Sequence, residues 1–342
     1  MTTRRKFIAA AAVLPFAAPA RAAGPTEVVV GSAQAISEAT IYIAEKKGFF
    51  ADEGIAIKML PFASAANMVA PLGAGQLDVG GGSASAGLYN AVSRGIKIKI
   101  VADKSSSQPG YGSQQIMVRK EHVDSGRYKT LADLKGFRFA MNGVGVSNTS
   151  TLNTLLTSAG LKYSDVSTVN LSFPDHVLAF ENKSVDASSS LEPFVTAIKK
   201  AGTAVVIRRD DEIIPGHELA NLLYSQSFAA NREVATRFMR AYLRGVRFYN
   251  DALKDHRLAG PRAEETIDIL AEYTPIKDKA LLRELTPSGC DPDGKVSVAS
   301  LQRDLDFYAS QGLIEGKVDL ADIIDSSFIE AAVRDLGPYK PL

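Results

Sequence analysis

The sequence has few of the residue types that most often carry catalysis or bind metals. Among 342 residues there is one cysteine, Cys290, no tryptophan and four histidines. A single cysteine excludes an intramolecular disulfide and a thiolate metal cluster. The histidines are scattered and form no paired metal motif such as HExxH. We therefore expect no metal and no cofactor, and we interpret Cys290 as a small packed side chain.

The sequence also has no strong charge imbalance and no long apolar segment after its first residues. Lysine and arginine together number 39, and aspartate and glutamate 38. Basic residues do not cluster, and no aromatic RNA-binding motif is present, so nucleic acid is not an expected partner. No later apolar run approaches the roughly 20 residues that span a bilayer, so no membrane-spanning helix is predicted.

The N-terminus has the features of an export signal. The stretch MTTRRKFIAAAAVLPFAAPARAA has a basic start, an apolar middle and small residues at its end. Arg4 and Arg5 precede the apolar run, as in twin-arginine signals, and the alternative is an ordinary secretory signal that contains two arginines. We predict a signal peptide over residues 1–22, a mature start at Ala23 and a periplasmic protein under either alternative.

The remaining chain alternates between predicted strands and helices, which indicates an α/β fold. A chain of this length usually divides into more than one domain. Residues 103–112 are polar and contain Pro109 and two glycines, so we interpret them as a crossing between two domains. A second α/β series follows, and beyond residue 222 the pattern is helical. The prediction is a first lobe made of residues 23–108 and 222–342, and a second lobe made of residues 109–221.

Two glycine loops stand out, one in each predicted lobe. LDVGGGSASAG, residues 77–87, lacks the lysine of a Walker loop and the glycine spacing of a dinucleotide fingerprint. FAMNGVGVSNTST, residues 139–151, likewise runs from a strand through glycines into a helix start. Backbone N–H groups at such a start can hold an anion. We therefore interpret the two loops as halves of one anion site, with a structural turn as the alternative.

A second internal similarity links the two lobes. LDVGGG at residues 77–82 matches VDASSS at residues 185–190 position by position in residue type. Both have an apolar residue, an aspartate, a small apolar residue and three tiny residues. This similarity predicts two related α/β domains that present the carboxyl ends of their strands to one another, where open sheets bind ligands.

Several motifs together resemble those of a known family. AEKKGFFADEGI at residues 44–55, LGAGQLDV at 72–79, LADLKG at 131–136 and LEPF at 191–194 occur in the same order as in the sulfonate, nitrate and taurine type substrate-binding proteins of ABC importers. The resemblance implies a two-lobed periplasmic-binding-protein fold of type II. Each lobe would hold a mostly parallel sheet flanked by helices, and two crossover segments would form a hinge. It also implies a monomer that delivers a small molecule to an ABC permease in the inner membrane, powered by its ATPase.

The resemblance also suggests which residues contact the ligand. The hydroxyl and amide side chains among the predicted ligand-binding residues suit a small organic anion such as a sulfonate, a carboxylate or an aromatic acid. Glu192 would favour an amine on the ligand and hence a zwitterion. Some of them, such as Ser64, Ser83 and Asn148, could instead be helix caps. The predicted ligand-binding residues are Ser32, Gln34, Ser64, Asn67, Gly82, Ser83, Ser85, Tyr111, Ser147, Asn148, Thr149 and Glu192.

The predicted function is therefore solute binding without catalysis. One alternative is a ligand-presenting partner of a sensor, and another is a protein that binds a pyrimidine or thiamine precursor. A periplasmic enzyme is disfavoured because no nucleophile with its base, metal cluster or cofactor lysine motif is recognisable. The related pyrimidine synthase is rich in cysteine near its site, and this sequence has Cys290 alone.

Overall fold

The computed structural model describes residues 24–342, so the predicted signal peptide and its cleavage point lie outside the described residues. Within this range no helix combines the length and apolar character that a membrane crossing requires. The strands are β1 (Thr26–Ser32), β2 (Ile55–Pro61), β3 (Val79–Gly82), β4 (Lys99–Ser107), β5 (Gln114–Arg119), β6 (Arg138–Met141), β7 (Ser167–Asn170), β8 (Ala187–Leu191), β9 (Ala204–Arg209), β10 (His217–Tyr224), and the short hairpin β11 (Leu253–Lys254) and β12 (Arg257–Leu258).

Helices follow most of these strands and cover both sheets. Short 3₁₀ helices also occur at Ile36–Glu38, Ala65–Met68, Leu131–Leu134 and Tyr163–Asp165. The α-helices are α1 (Ala39–Lys46), α2 (Phe49–Asp52), α3 (Val69–Gly73), α4 (Ala86–Ser93), α5 (Lys120–Asp124), α6 (Ser147–Ser158), α7 (Phe173–Glu181), α8 (Phe194–Lys200), α9 (Asp210–Ile213), α10 (Gln226–Ala230), α11 (Arg232–Ala252), α12 (Ala263–Tyr273), α13 (Lys279–Glu284), α14 (Val298–Ser310), α15 (Leu320–Ile323) and α16 (Ser327–Leu336).

The two five-stranded sheets have the same topology. The first has the order β2-β1-β3-β10-β4 and the second the order β7-β6-β8-β5-β9. Only β10 in the first sheet and β5 in the second run antiparallel to their neighbours. Each of these is the strand by which the chain enters the sheet from the other lobe. The mostly parallel, two-lobed α/β architecture predicted from the sequence is thus confirmed.

The internal similarity between the lobes has a structural counterpart. β3 and β8 occupy equivalent places in the two sheets. Asp78 accepts a hydrogen bond from the backbone N–H of Val29 at 2.9 Å, and Asp186 accepts one from Arg138 at 3.0 Å. The aspartate just before β3 in the first lobe, and the one just before β8 in the second, therefore bind the backbone of the neighbouring parallel strand.

Strand β4 is longer than the sequence predicts. Residues 103–107, which the sequence analysis placed in an interdomain crossing, continue the strand and are buried. The crossing from the first to the second sheet is thus confined to residues 108–113. The chain returns over residues 210–216, and residues 217–221, assigned from the sequence to the second lobe, belong to β10 of the first sheet. Polar side chains disguised these strands, because residue types such as aspartate, lysine and glutamate usually lie at the surface.

The C-terminal helices pack mainly on the first sheet. Helix α11 buries Val234, Phe238, Tyr242 and Val246 along one face, as its helical spacing predicts. It contacts both α1 and α16. Helix α14 is different because it packs against both β10 of the first lobe and α6 of the second.

Candidate functional site

A cavity of about 40 Å³ lies between the two sheets. That volume has room for about three water molecules, which corresponds to a compact polar group. It is bordered by segments that follow the carboxyl ends of parallel strands from both lobes, the position at which open α/β sheets bind ligands. The lining residues are Ala33, Ser37, Glu38, Ala65, Gly82, Ser83, Gln114, Asn142, Val146, Ser147, Asn148, Phe173, Leu191, Leu219 and Ala220.

The two glycine loops meet at this cavity. The hydroxyl oxygens of Ser83, after β3, and Ser147, at the start of α6, lie 2.8 Å apart. Both also contact the carbonyl oxygen of Leu219, at 3.0 and 3.2 Å. The backbone N–H of Ser147 donates to the Ser83 hydroxyl at 3.2 Å. A direct polar contact between the lobes thus forms one wall of the cavity.

Further hydrogen bonds join the lobes around the cavity. The backbone N–H of Ala86 donates to the carbonyl of Gly145 at 2.7 Å. The Asn142 side chain donates to the carbonyl of Ala63 at 3.0 Å, and on another side the N–H of Ile36 donates to the carbonyl of Glu192 at 3.1 Å. These bonds can form only when the lobes are close together, so the structure is a closed arrangement.

The glycines of the first loop are required by the protein around them. Gly82 has a φ of +148°, and a Cβ atom there would lie 2.2 Å from the Cβ of Ala65. A Cβ on Gly81 would lie 2.7 Å from the Nζ of Lys104. The missing side chains therefore let the 3₁₀ helix that contains Ala65, and the lysine, approach the cavity wall.

A buried ion pair lies beneath this loop. The Nζ of Lys104, on β4, is 2.6 Å from the Oε1 of Glu38, and both side chains are almost completely buried. Oε1 also accepts a hydrogen bond from the N–H of Ala33 at 3.3 Å. Glu38 lines the cavity, and its Oε2 has no hydrogen-bond partner among residues 24–342. Glu38 therefore brings to the cavity lining a carboxylate with one uncommitted oxygen.

Helix α6 brings a second uncommitted acceptor to the cavity. Asn148 is buried, and its Nδ2 donates to the carbonyl of Ser189 on β8 at 3.4 Å. This bond directs Oδ1 away from the strand, and Oδ1 has no partner within the described range. The next residue, Thr149, instead donates its hydroxyl to the carbonyl of Val146 at 2.7 Å and faces a neighbouring groove.

Comparison with known proteins identifies the family. The family model described as NMT1/THI5 like matches residues 36–252, which is more than half of the chain. The chain belongs to the NMT1/THI5-like family. A Bacillus subtilis protein whose name assigns it to the binding of aliphatic sulfonates is 27% identical over 323 residues, covering 90% of this chain and 89% of the relative.

Solved structures share the fold of this NMT1/THI5-like chain. The periplasmic nitrate-binding protein NrtA from Synechocystis PCC 6803 has a TM-score of 0.75 at 13% identity, covering 92% of this chain and 89% of NrtA. The desulfurization enzyme DSZB has a TM-score of 0.61 at 14% identity, covering 91% of this chain and 99% of the enzyme. At these identities the likeness concerns the fold alone.

Four of the predicted ligand-binding residues line the cavity of this NMT1/THI5-like protein: Gly82, Ser83, Ser147 and Asn148. Ser64 is buried beside the cavity wall and donates to Asn67 at 2.6 Å, and Asn67 itself is exposed. Ser85 is the N-cap of α4 and accepts from the N–H of Leu88 at 3.2 Å. Ser64, Asn67 and Ser85 thus have local structural roles.

The other predicted residues lie away from the cavity. Ser32 and Gln34 border a separate groove beside Tyr42 and Tyr273. Tyr111 contacts His256 edge to face in the crossing between the lobes, with ring centroids 5.5 Å apart.

The Glu192 side chain does not line the cavity, and its carboxylate is engaged by the protein. It accepts hydrogen bonds from the N–H of Thr196 at 3.0 Å and the N–H of Thr286 at 3.1 Å. Burial raises the pKa of Glu192 to about 7 against these hydrogen bonds, which lower it. The carboxylate that faces the cavity is therefore that of Glu38.

The sequence left open whether Asp175 or His176 reaches the cleft, and neither lines the cavity. Asp175 is exposed and accepts a hydrogen bond from the Ser172 hydroxyl. His176 is buried with its Nδ1 2.8 Å from the Ser190 hydroxyl, and desolvation lowers its pKa to about 4. A neutral imidazole in this place packs the second lobe.

Several lining residues were not predicted from the sequence, although one rule could have found three of them. Ala33, Asn142 and Phe173 each follow the carboxyl end of a parallel strand, where ligand-contacting loops are expected. Glu38 gave no such signal because ISEATIYI has the pattern of an ordinary amphipathic helix. Lys104, which pairs with Glu38 but does not itself line the cavity, was missed because the polar run around it resembles a linker.

Proposed function

We propose that this protein is the periplasmic solute-binding component of an ABC importer, which holds a small polar organic molecule between its lobes and delivers it to a permease and its ATPase. The observation that carries this proposal is the meeting of both glycine loops, through Ser83 and Ser147, at a cavity between the two sheets. A site assembled from two lobes exists only in the closed form, so ligand binding and closure are coupled. We further propose export as a monomer by the twin-arginine route.

The proposed ligand class is a small organic anion or zwitterion. The start of α6 faces the cavity with Ser147 and Asn148, and a helix of 12 residues favours negative charge at its N-terminus. Relatives named for aliphatic sulfonates and for nitrate support an anionic head group. The Glu38 carboxylate at the same cavity supports a positively polarised group elsewhere on the molecule.

Delivery follows from the difference between the open and closed forms. A ligand stabilises closure only to the extent that it binds the closed form better. Here it would bridge residues of both lobes and add to the hydrogen bonds already present around the cavity. The permease would then recognise the surface that the closed form presents, and separation of the lobes would release the solute.

Catalysis is the second candidate, because DSZB has the same fold and is an enzyme. The only cysteine does not support it. Cys290 is buried away from the cavity lining, and desolvation raises the pKa of its thiol well above the usual value, so it is held as an unreactive thiol. We therefore keep solute binding as the proposed function.

A ligand screen with product analysis tests the proposal. We expect at least one member of a panel of sulfonates, carboxylates, aromatic acids, nitrate and pyrimidines to raise the melting temperature of the mature protein. Mass spectrometry of that ligand after incubation should recover it unchanged. A ligand recovered in chemically altered form would favour the enzyme, and no thermal shift with any compound, together with no co-purified small molecule, would contradict solute binding.

A further inference from the structure

Two buried acceptors at the cavity lack donors. Glu38 Oε2 comes from the first lobe and Asn148 Oδ1 from the second, and neither has a hydrogen-bond partner within residues 24–342. Both residues line the cavity and are about 1% exposed. Buried polar atoms in folded proteins are almost always hydrogen-bonded, so a pair of orphans at one cavity requires an explanation.

The orientation of each acceptor is fixed by the protein. Lys104 and the N–H of Ala33 both engage Glu38 Oε1, which leaves Oε2 as the uncommitted oxygen. Donation from Asn148 Nδ2 to Ser189 makes Oδ1 the free end of that amide. The ionised Glu38 carboxylate has no donor, and Asn148 could turn its N–H group towards the cavity only by breaking the bond to Ser189. Both lobes therefore offer the site an acceptor.

The hydroxyls nearby do not supply the missing donors. Ser83 and Ser147 direct their hydrogen bonds to each other and to the carbonyl of Leu219. The ion pair with Lys104 also balances the charge of Glu38, so the site does not require a full positive charge. What it lacks is a pair of hydrogen-bond donors placed between the two lobes.

We propose that the ligand presents N–H groups to Glu38 and Asn148, and that these two residues select nitrogen-bearing solutes over bare anions of the same size. The ligand would be an amine, an amidine or an N–H heterocycle, with any acidic group placed towards the start of α6. This inference rests on the proposed function and narrows its ligand class. An N–H group that bridges the two acceptors would also hold the lobes closed.

Matched pairs of compounds test the selection by titration calorimetry. The pairs are taurine and ethanesulfonate, β-alanine and propionate, 4-aminobenzoate and benzoate, and 4-aminopyrimidine and pyrimidine. We expect at least one nitrogen-bearing member to bind ten-fold or more tightly than its partner. A small molecule extracted from freshly purified wild-type protein and identified by mass spectrometry should likewise carry an N–H group.

Variants connect the selection to the two residues. In Glu38→Gln the side-chain oxygen can stay with Lys104 while the amide turns a donor to the cavity, so we expect at least a ten-fold loss for the N–H ligand. Asn148→Ala should weaken the same ligand and serves as a second test if Glu38→Gln folds poorly. Glu45→Gln is the control, because Glu45 lies on α1 and borders a different groove; its affinity should match wild type.

The outcomes separate this inference from the proposed function. Equal or tighter binding of the members without nitrogen, or an extracted ligand without N–H groups, would overturn the inference and leave solute binding intact. Retained selectivity in both Glu38→Gln and Asn148→Ala would also overturn it. If no compound binds and none is extracted, solute binding itself fails and the inference falls with it.

Discussion

Gly81 and Gly82 show how the lack of a side chain at two positions shapes the loop beside the cavity. From the sequence, such glycines suggest close approach of a ligand to the backbone. In the structure the nearest atoms at these positions belong to the protein itself, the Nζ of Lys104 and the Cβ of Ala65. The glycines thus allow a buried lysine and a neighbouring 3₁₀ helix to come within contact distance of the loop. The sequence located the loop correctly but did not indicate what it accommodates.

At this residue scale we predict that Gly82→Ala is destabilising. The new methyl group would overlap the Cβ of Ala65 at 2.2 Å, and φ of +148° is strained for any L side chain. Overpacking of this kind costs roughly 1–3 kcal/mol in free energy of unfolding, measured by denaturant titration. Gly87→Ala is the control, since Gly87 is exposed in the first turn of α4 and alanine there should be neutral or slightly stabilising. Equal stabilities of the two variants would contradict the steric explanation.

At the scale of elements, β4 and β10 show where prediction from sequence failed. The strand pattern of 97–102 was recognisable, but its polar continuation was not, since Asp103 and Lys104 are residues that usually lie at the surface. Their partners come from distant positions: Glu38 pairs with Lys104, and Glu218 on β10 faces Asp103. Burial raises the pKa of Asp103 to about 6 and that of Glu218 well above its usual range. Such pairing is a property of the tertiary structure and leaves no local signal.

The return crossing ends at a histidine held between two elements. His217, the first residue of β10, lies 3.1 Å from Asp210 on α9 through Nδ1 and 3.1 Å from Asp304 on α14 through Nε2. Asp210 also accepts from Gln114, which lines the cavity, and Glu218 carries a further carboxyl group beside the ring. Burial opposes the charged imidazolium, but the two aspartates outweigh burial and raise the pKa of His217 to about 10. A charged histidine thus ties the returning strand to helices of both lobes.

This arrangement predicts that stability falls as the pH rises above neutrality. The folded-state pKa of His217 exceeds the value of about 6.5 in an unfolded chain, so the imidazolium stabilises the fold fully below pH 6.5 and loses its effect towards pH 10. One proton held only by the folded state gives a slope of about 1.4 kcal/mol per pH unit. Urea unfolding between pH 8 and 9 lies above most of the titration of Glu192, whose pKa is about 7.

Two histidine variants test this pH dependence. His217→Gln should be less stable than wild type at pH 7 and should show a flatter dependence up to pH 9. His256→Gln should keep the wild-type dependence, because His256 is exposed in the β11–β12 turn. An unchanged slope in His217→Gln would show that another group carries the titration.

At the scale of the whole molecule, the sequence predicted the two-lobed architecture better than it predicted which side chains line the cavity. Alternating strands, paired glycine loops and repeated motifs were sufficient for two related α/β lobes facing each other, and the loops do meet at Ser83 and Ser147. Which side chains reach the cavity depends on how the lobes pack, and so Glu192 was predicted where Glu38 is found. The closed form is held by hydrogen bonds on several sides of the cavity, and we expect separation of the lobes to break them.

The contact between Ser83 and Ser147 offers a direct test of this gating. Their hydroxyl oxygens lie 2.8 Å apart across the lobes, and the only native cysteine is buried, so a Ser83→Cys, Ser147→Cys double variant should form one interlobe disulfide under mild oxidation. We expect a mobility shift on non-reducing gels that neither single variant shows. Exchange of the ligand found in the screen should slow at least ten-fold when the disulfide forms and should recover on reduction, because the solute leaves only when the lobes separate. Exchange at the wild-type rate with the disulfide intact would show that solutes reach the cavity without lobe opening, and failure of the disulfide to form in the ligand-saturated protein would contradict the closed arrangement itself.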